Sequence, residues 1–288
     1  IIQSVHEKNS NDIAFTISQE QFPKAKQQCQ CLIESLGGQL STQENMAKIS
    51  IHGAGIMGRP GIAATLFETL SKSGINLRLI ATSEVKVSSV IDAALGRKAL
   101  RAIGDNFELN EKQIQINPEN NIKNSPEVRG IALDPDQALV SVTQVPDKPG
   151  TAAAICTALA EAGITLDTIV QSERRHDDGS RDISFTLKKN DRNSAEKALS
   201  YLLKKWEKAK FKDGPAIAKV SAVGAGMPNT VGTAGRMFRA IANGNINIEM
   251  IATSEIRTTC VVKEADGLKT LRLVHDYFQL GELNSDEN

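Results

Sequence analysis

The stretch GAGIMGRPGIAATLFETLSKSGINLRLIATSE, Gly53 to Glu84, is written a second time as GAGMPNTVGTAGRMFRAIANGNINIEMIATSE, Gly224 to Glu255. The two stand 171 residues apart. In that register Gly53, Ala54, Gly55, Gly61, Ala63, Phe67, Ile75, Asn76 and the pentapeptide IATSE meet identical residues without a gap, and Phe107 later meets Phe278. A weaker echo at 89 residues sets Pro60-Gly61 against Pro149-Gly150, Gly74-Ile75 against Gly163-Ile164 and Ser83 against Ser172. Self-similarity at a fixed period identifies the architectural unit. Here the unit is about half the long period, and the chain reads as copies of one small fold.

The third copy shows what that fold is. Ala138 to Val145 alternates apolar and polar residues as a strand does, and Pro146-Asp147-Lys148-Pro149-Gly150 is a dense turn signal. Ile155 and Leu159 then mark one face of a helix that Gly163 ends. ITLDTIVQS is a second strand, RRHDDGSR a turn, and DISFTLKK a third strand. Ala195, Leu199, Leu202 and Leu203, within Asn193 to Trp206, mark a second helix, with a short strand candidate at Lys208 to Lys212. Strand, helix, strand, strand, helix, strand is the split βαβ order of a ferredoxin-like α+β fold.

The other copies repeat this order with defects. The first, residues 1–45, opens at IIQS, which matches IVQS at Ile169 to Ser172, and lacks an opening strand and helix. The second, 46–109, and the fourth each stop after their second helix. A sheet short of one strand exposes an unpaired edge. VRGIALD, Val128 to Asp134, fits no element of copy three and is expected to complete copy four. Copy three, 136–213, is then inserted into a fourth domain made of 127–135 and 214–288. The strand completing copy two is expected upstream of Ile1, and the polar, proline-bearing stretch 110–126 is expected as a linker between two pairs of copies.

Composition removes several classes of function. The 34 basic and 34 acidic residues cancel, so charge gives no case for nucleic acid or an anionic membrane. No apolar run approaches the ~20 residues of a membrane span. The third strands lack the aromatic platform of RNA-binding sheets. Cys29, Cys31, Cys156 and Cys260 show neither a disulfide framework nor metal-ligand spacing, so structural roles and a reducing, cytoplasmic setting are expected. The N-terminus carries no signal-peptide pattern and no methionine, which suggests a piece of something larger. His6, His52, His176 and His275 pair with no serine or cysteine at catalytic spacing, and no P-loop, G-x-S-x-G, H-E-x-x-H or protein-kinase signature occurs.

Gly53 to Gly58 formally satisfies G-x-G-x-x-G and so admits a nucleotide-dependent oxidoreductase using NAD(P). Against it, no acidic residue ends the next strand before Glu84, and copy four keeps only two of the glycines. The better reading places a small ligand at a helix N-terminus, where free N–H groups and the positive dipole end hold a carboxylate. Gly61, Gly150, Gly232 and Thr233 lie at such positions. Asn76 and Asn247 offer a donor and an acceptor that suit a zwitterion, or else they merely tolerate a turn after Gly74 and Gly244. Asp147 and Gln171 fall at one edge of the copy-three sheet, where a carboxylate could hold an ammonium group or be a solvated turn residue. Gln3 repeats Gln171 in copy one.

Together VPDKPG before a helix, GITLDTIVQS, DISFTL, VGAGM and NINIEMIATSEIRTTCVV resemble the regulatory ACT domains of aspartate kinase, over essentially the whole chain. Two successive ACT pairs look like the cyanobacterial form of that family. The resemblance implies lysine and/or threonine as feedback effectors bound between ACT domains, and a homodimer built through them. It implies one wall of a site from Asp147, Gly150, Ala152 and Gln171, met by Thr233, Asn245, Asn247, Ile248 and Ser254 of copy four. Copies one and two would offer Gln3, Asn76, Leu77 and Ser83. Copy two departs from the pattern, with Ile62 against Thr233 and Gly74 against Asn245, so unequal sites are expected. The family's catalytic domain, with its ATP and Mg, is not in these residues, and no cofactor or metal is expected in this chain. A purely structural ACT dimerisation module is the remaining alternative.

Overall fold

Short alternating segments separated by glycine turns build eleven strands and seven α-helices among the described residues. The computed structural model describes residues 1–5, 11–53, 56, 59, 61–83, 85–116, 125–171 and 174–281. Copy one supplies β1 (Ile2–Val5), β2 (Asn11–Ala14) and α1 (Phe22–Leu36). Copy two supplies β3 (Met46–His52), α2 (Ile62–Lys72), β4 (Leu79–Ser83), β5 (Lys86–Asp92) and α3 (Gly96–Asn106). A single long strand, β6 (Gly130–Val145), leads into α4 (Thr151–Glu161), β7 (Thr168–Gln171), β8 (Arg181–Lys188) and α5 (Arg192–Lys205). A second long strand, β9 (Lys210–Val223), leads into α6 (Thr233–Asn243), β10 (Met250–Thr253), β11 (Arg257–Lys263) and α7 (Gly267–Tyr277).

The repeat in sequence is a repeat in backbone. Helices α2, α4 and α6 each start from a left-handed glycine, Gly61, Gly150 and Gly232, with φ of 99°, 96° and 91°. Only glycine adopts that conformation at no steric cost. Each helix also ends on a left-handed residue: Gly74, Gly163 and Asn245, with φ of 70°, 72° and 55°. The pair Gly74 and Asn245 is therefore two solutions to one helix end, because asparagine is the side chain that best tolerates this conformation. The backbone conformation alone accounts for both residues at this position.

The strand order is β2-β1-β10-β11-β9-β6-β8-β7-β4-β5-β3, antiparallel at every pairing. The two long strands explain how copies three and four interlock. Gly130–Asp134 of β6 pairs with Lys219–Val223 of β9, beside β11 and β10. Val140–Thr143 of β6 pairs with Lys210–Asp213 of β9 on the other side of β8 and β7. The start of β6 is thus the last strand of copy four, and the start of β9 the last strand of copy three. The expected short strand at Lys208 to Lys212 instead begins at Lys210 and runs through Gly214-Pro215 into copy four. Bulges mark the crossing, one between Asp134 and Gln137 around Pro135, which has no N–H to give the ladder. A Cβ on Gly214 would stand 2.6 Å from Leu139 O.

Second strands join the copies. β4 pairs with β7, so copy two lies beside copy three, and β1 pairs with β10, so copy one lies beside copy four. Helices cover one face of each pair. Copies two and three share one core, in which α2 packs on α4 and Leu66, Phe67, Leu70, Ile155, Leu159, Ile169 and Phe185 are buried. Each such side chain contributes about 1.5–3 kcal/mol of hydrophobic stabilisation. Copy four has its own helix-side core, including Val220, Met237, Ile241 and Val262. The opposite faces of the two halves meet: Ile2, Leu139, Val170, Ile217, Met250, Ala252 and Val261 form one cluster with Leu79 and Ala81. β4 lies against β10 and β7 against β1 without pairing. The sheet therefore folds back on itself, with helices outside and a thin apolar layer between its halves.

Residues 117–124 of the expected linker lie outside the described residues. Its ends are built in: Asn110 caps a 3-10 turn over Glu111–Gln113, and Pro126 O accepts the Gly226 N–H at 3.0 Å. The tail from 282 onward and His6 also lie outside the described residues, and no described helix is long and apolar enough to cross a membrane.

Candidate effector clefts between the copies

The cleft between copies two and three is lined by the turn Val145–Ala153, by Asn76 and Leu77 at the entry to β4, and by Gln171, Arg181 and Ile183. Its interior is only about 20 Å³, room for about one water molecule, so the cleft is nearly closed as it stands. The turn brings Asp147 next to the α4 N-terminus, because proline and glycine fix its path, Thr151 Oγ1 bonds Pro146 O at 2.8 Å, and Gly150 abuts α2. A Cβ at Gly150 would lie 2.9 Å from Ser71 Oγ.

Asp147 is the hub of this cleft. Its Oδ1 accepts the Asn76 amide at 3.0 Å. Its Oδ2 lies 2.8 Å from Arg175 Nη2 and 3.1 Å from Arg181 Nε. Arg181 is only 1 % exposed and also donates from Nη1 to Arg78 O in copy two at 2.7 Å. The bond from Asn76 carries that side chain across the junction between copies. Ala152 and Gln171 are buried in the wall. Neither arginine was singled out in the sequence. The signal was there in Arg181, which opens a third strand where the other copies carry Asn11, Val85 and Ile256.

The expected partnership of copies three and four is corrected. Because second strands pair, Asp147, Gly150, Ala152 and Gln171 meet Asn76 and Leu77 of copy two, and copy four meets copy one. There Gln3, buried like Gln171, donates from Nε2 to Ile248 O at 2.9 Å. Asn247 is exposed and reaches Glu249 at 3.4 Å, and Asn245 is an exposed helix-end residue. Thr233 does not face the copy-one junction residues: its hydroxyl bonds the Glu127 carboxylate, which Arg236 also pairs with at 2.6 Å. The chain's own carboxylate thus covers the α6 N-terminus. In copy two the corresponding Ile62 packs on the core.

Ser83 and Ser254, equivalent in the repeat, come together elsewhere. They line a polar cleft between the two halves of the sheet with Thr82, Asp167, Thr168, Lys219, Arg257 and Thr259. Lys219, 8 % exposed at its side chain, pairs with Asp167 and lies 3.7 Å from Asp134. Of the dinucleotide-like turn, Ala54, Gly55, Met57 and Gly58 lie outside the described residues. The strands on either side of α2, β3 and β4, are not neighbours but flank β5 antiparallel, which is not the parallel βαβ unit that binds dinucleotides.

Comparison with known proteins agrees with this geometry. ACT-domain family models match residues 49–107 and 220–278, and another matches 138–204. The aspartokinase of Thermus thermophilus is 40% identical over 153 residues, 53% of this chain and 38% of that protein. That of Corynebacterium efficiens is 38% identical over 154 residues, 53% of this chain and 36% of that one. The crystal structure of aspartate kinase from Synechocystis superposes with a TM-score of 0.90 at 42% identity, covering 100% of this chain and 50% of its own. The regulatory subunit of aspartate kinase from Thermus flavus gives a TM-score of 0.50 at 40% identity, covering 53% of this chain and 99% of its own. The folded unit, its repetition and these matches define a tandem of ACT domains. The chain belongs to the regulatory regions of the aspartate kinase family. It spans little more than a third of the length of the curated relatives it matches.

Proposed function

We propose that this chain senses free amino acids for an aspartate kinase, with lysine and/or threonine as feedback effectors. The observation that carries this is the pairing, in the copy two and three cleft, of an acceptor carboxylate with a helix N-terminus. Asp147 suits an ammonium group, and the first N–H groups of α4, which have no acceptor within the helix, suit a carboxylate. Together they fit the zwitterionic head that every amino acid shares, while Asn76 and Gln171 add neutral donors and acceptors. The copy one and four junction, with Gln3 at Ile248 and Asn247 nearby, is the second candidate seat. The kinase activity itself, with ATP and Mg, belongs to the portion of the protein outside these residues, and ACT sheets pair further into a homodimer. A bound effector shifts the enzyme only through a difference in affinity for two arrangements of the domains.

The test is calorimetric titration of the intact protein with lysine and with threonine. At least one should bind, and Asp147→Asn should abolish one class of site. Binding of neither would sink the sensing role and leave a structural module.

A further inference from the structure

We propose that Gln144 is the pivot of the turn that carries Asp147. Asp182 holds it in the left-handed conformation while the cleft is closed, and its release lets the turn swing outward to admit an amino acid. The inference rests on the amino-acid-sensing reading above and adds how that site opens.

The closed cleft has room for about one water molecule, so a wall must move before an amino acid enters. Arg181 and Ile183 belong to β8 and Gln171 to β7, both paired on either side, and Ala152 and Ala153 of α4 are buried in the core. The wall with freedom to move is the turn from Pro146 to Pro149. Its two prolines fix φ, so a swing has to come from the residues that bracket them. Both brackets are left-handed, Gly150 at φ 96° and Gln144 at φ 55°. Glycine enters or leaves that conformation without steric cost. A glutamine is relieved by leaving it, by a factor of about 5–30 in population. Opening costs the Thr151 hydroxyl its bond to Pro146 O at 2.8 Å, and the strain released at Gln144 offsets part of that loss.

Gln144 stands where β6 loses its support. The pairing with β9 ends at Thr143 and Lys210, and on the other side a bulge separates the Val142–Ile183 rung from the Val145–Arg181 rung. Bulges re-aim the chain that follows them, here the turn with Asp147. Within the bulge the Gln144 N–H donates to Asp182 Oδ1 at 2.9 Å, and His176 Nε2 lies 2.7 Å from the same oxygen. Copies two and four leave the strand differently. There Gly53 and Gly224 give their N–H groups to the backbone oxygens of Val85 and Ile256, at 3.0 and 2.9 Å. Among these three copies only copy three joins a strained residue to a side-chain acceptor. A side chain turns away from an amide more readily than a strand leaves its ladder, so the closed turn of copy three rests on a releasable contact.

The test joins hydrogen exchange with titration of the intact protein by lysine and by threonine, following the heat that disappears in Asp147→Asn. Gln144→Gly removes the strain and favours the closed turn. Exchange at the amides of position 144, Lys148 and Thr151 should slow, and effector affinity should fall, each by up to about 5–30-fold, while the urea midpoint does not fall. Gln144→Val, which tolerates the left-handed conformation least, should move exchange and affinity the other way. Asp182→Ala should speed exchange in the parent and much less in Gln144→Gly, because glycine needs no hold. Weaker binding by a protein that is no less stable separates a pivot from a residue that only supports the fold. Unchanged or tighter binding by Gln144→Gly, or unchanged exchange, overturns the pivot and leaves the sensing reading standing. If the parent shows no heat that depends on Asp147, the sensing reading fails and this inference falls with it.

Discussion

Asp147→Ala should destabilise the fold through a residue it does not remove. Arg181 is 1 % exposed, and Asp147 is a carboxylate partner of it at 3.1 Å. Taking away one partner of a buried pair costs up to about 3–5 kcal/mol, and Arg181 keeps further interactions, its bond to Arg78 O among them, that hold the cost toward the lower end. The side chain of Asp147 is 10 % exposed, so some water reaches the gap and the lower end, about 3 kcal/mol, is expected. Arg181→Met leaves a carboxylate that still has Arg175 and Asn76, and leaves Arg78 O without this donor; about 1–3 kcal/mol is expected. The double variant removes both charges, so its cost should fall well short of the sum, with a coupling of about 2 kcal/mol. Trp206 is the only tryptophan in the sequence and packs against the core of copies two and three. Its fluorescence in urea reports the relevant unit. Additive costs, with no coupling between the two substitutions, would refute the claim that Asp147 and Arg181 act as one buried pair.

Two other outcomes follow from single sites. Gly226→Ala puts a Cβ 2.2 Å from Ser125 O and 2.7 Å from Pro126 O; displacing that backbone should cost about 1–3 kcal/mol, read as a lower urea midpoint. An unchanged midpoint would show that Ser125–Glu127 is not anchored by this contact. Burial pushes the Cys156 thiol up from 9.0 to about 12, so the folded state holds the proton more tightly than the unfolded state. That contribution is complete below pH 9 and is lost as pH rises toward about 12. The urea midpoint should therefore fall across this window, less steeply in Cys156→Ala, and a thiol reagent at pH 8 should label exposed Cys31 and spare Cys156. Equal slopes for parent and variant would remove Cys156 from the alkaline response.

The unit of the fold was legible because local signals agree with it: the Pro-Gly turn, the helix ended by Gly163, and the clean alternation of DISFTLKK all reappear as elements. VRGIALD, which fitted no element around it, is likewise found paired with Lys219–Val223. What the residues could not reveal was which copies lie side by side. β4, β7, β1 and β10 are all short and apolar, and their backbone edges are chemically equivalent, so any two could pair in principle. Pairing is decided by the path of β6 and β9, which carries copy four away from copy three and leaves each second strand facing a different neighbour. The residues expected to line sites are therefore grouped differently in the structure. Asp147, Asn76, Gln171 and Leu77 meet, while Ser83 and Ser254 turn toward the opposite half of the sheet. Arg175 and Arg181 went unseen because a charged residue in a turn or at a strand end is ordinarily solvated, and only the depth of the junction buries Arg181.

The same folding back supplies a physical connection between the two candidate seats. β7 carries Gln171 in the first cleft and is entered through Asp167, which pairs with Lys219 on β9 of copy four. Thr82 ties that entry to copy two, donating to Asp167 O at 3.3 Å and accepting the Ile169 N–H at 2.7 Å. On the other side of the layer, Lys86 of copy two pairs with Glu255, just beyond β10, the strand that joins copy one. Charges in the poorly solvated space between sheets resist separation more than exposed ones do. The layer also contains paired hydroxyls, such as Ser221 with Thr259 at 2.9 Å, which exchange partners more readily than interlocked apolar side chains reseat. A shift of β4 against β7 on ligand binding must then either break the Asp167–Lys219 pair or carry β9 with it. Since β9 is the first strand of copy four, the less costly course moves that copy relative to copy one. Two seats coupled through one strand would affect each other's affinity equally in both directions.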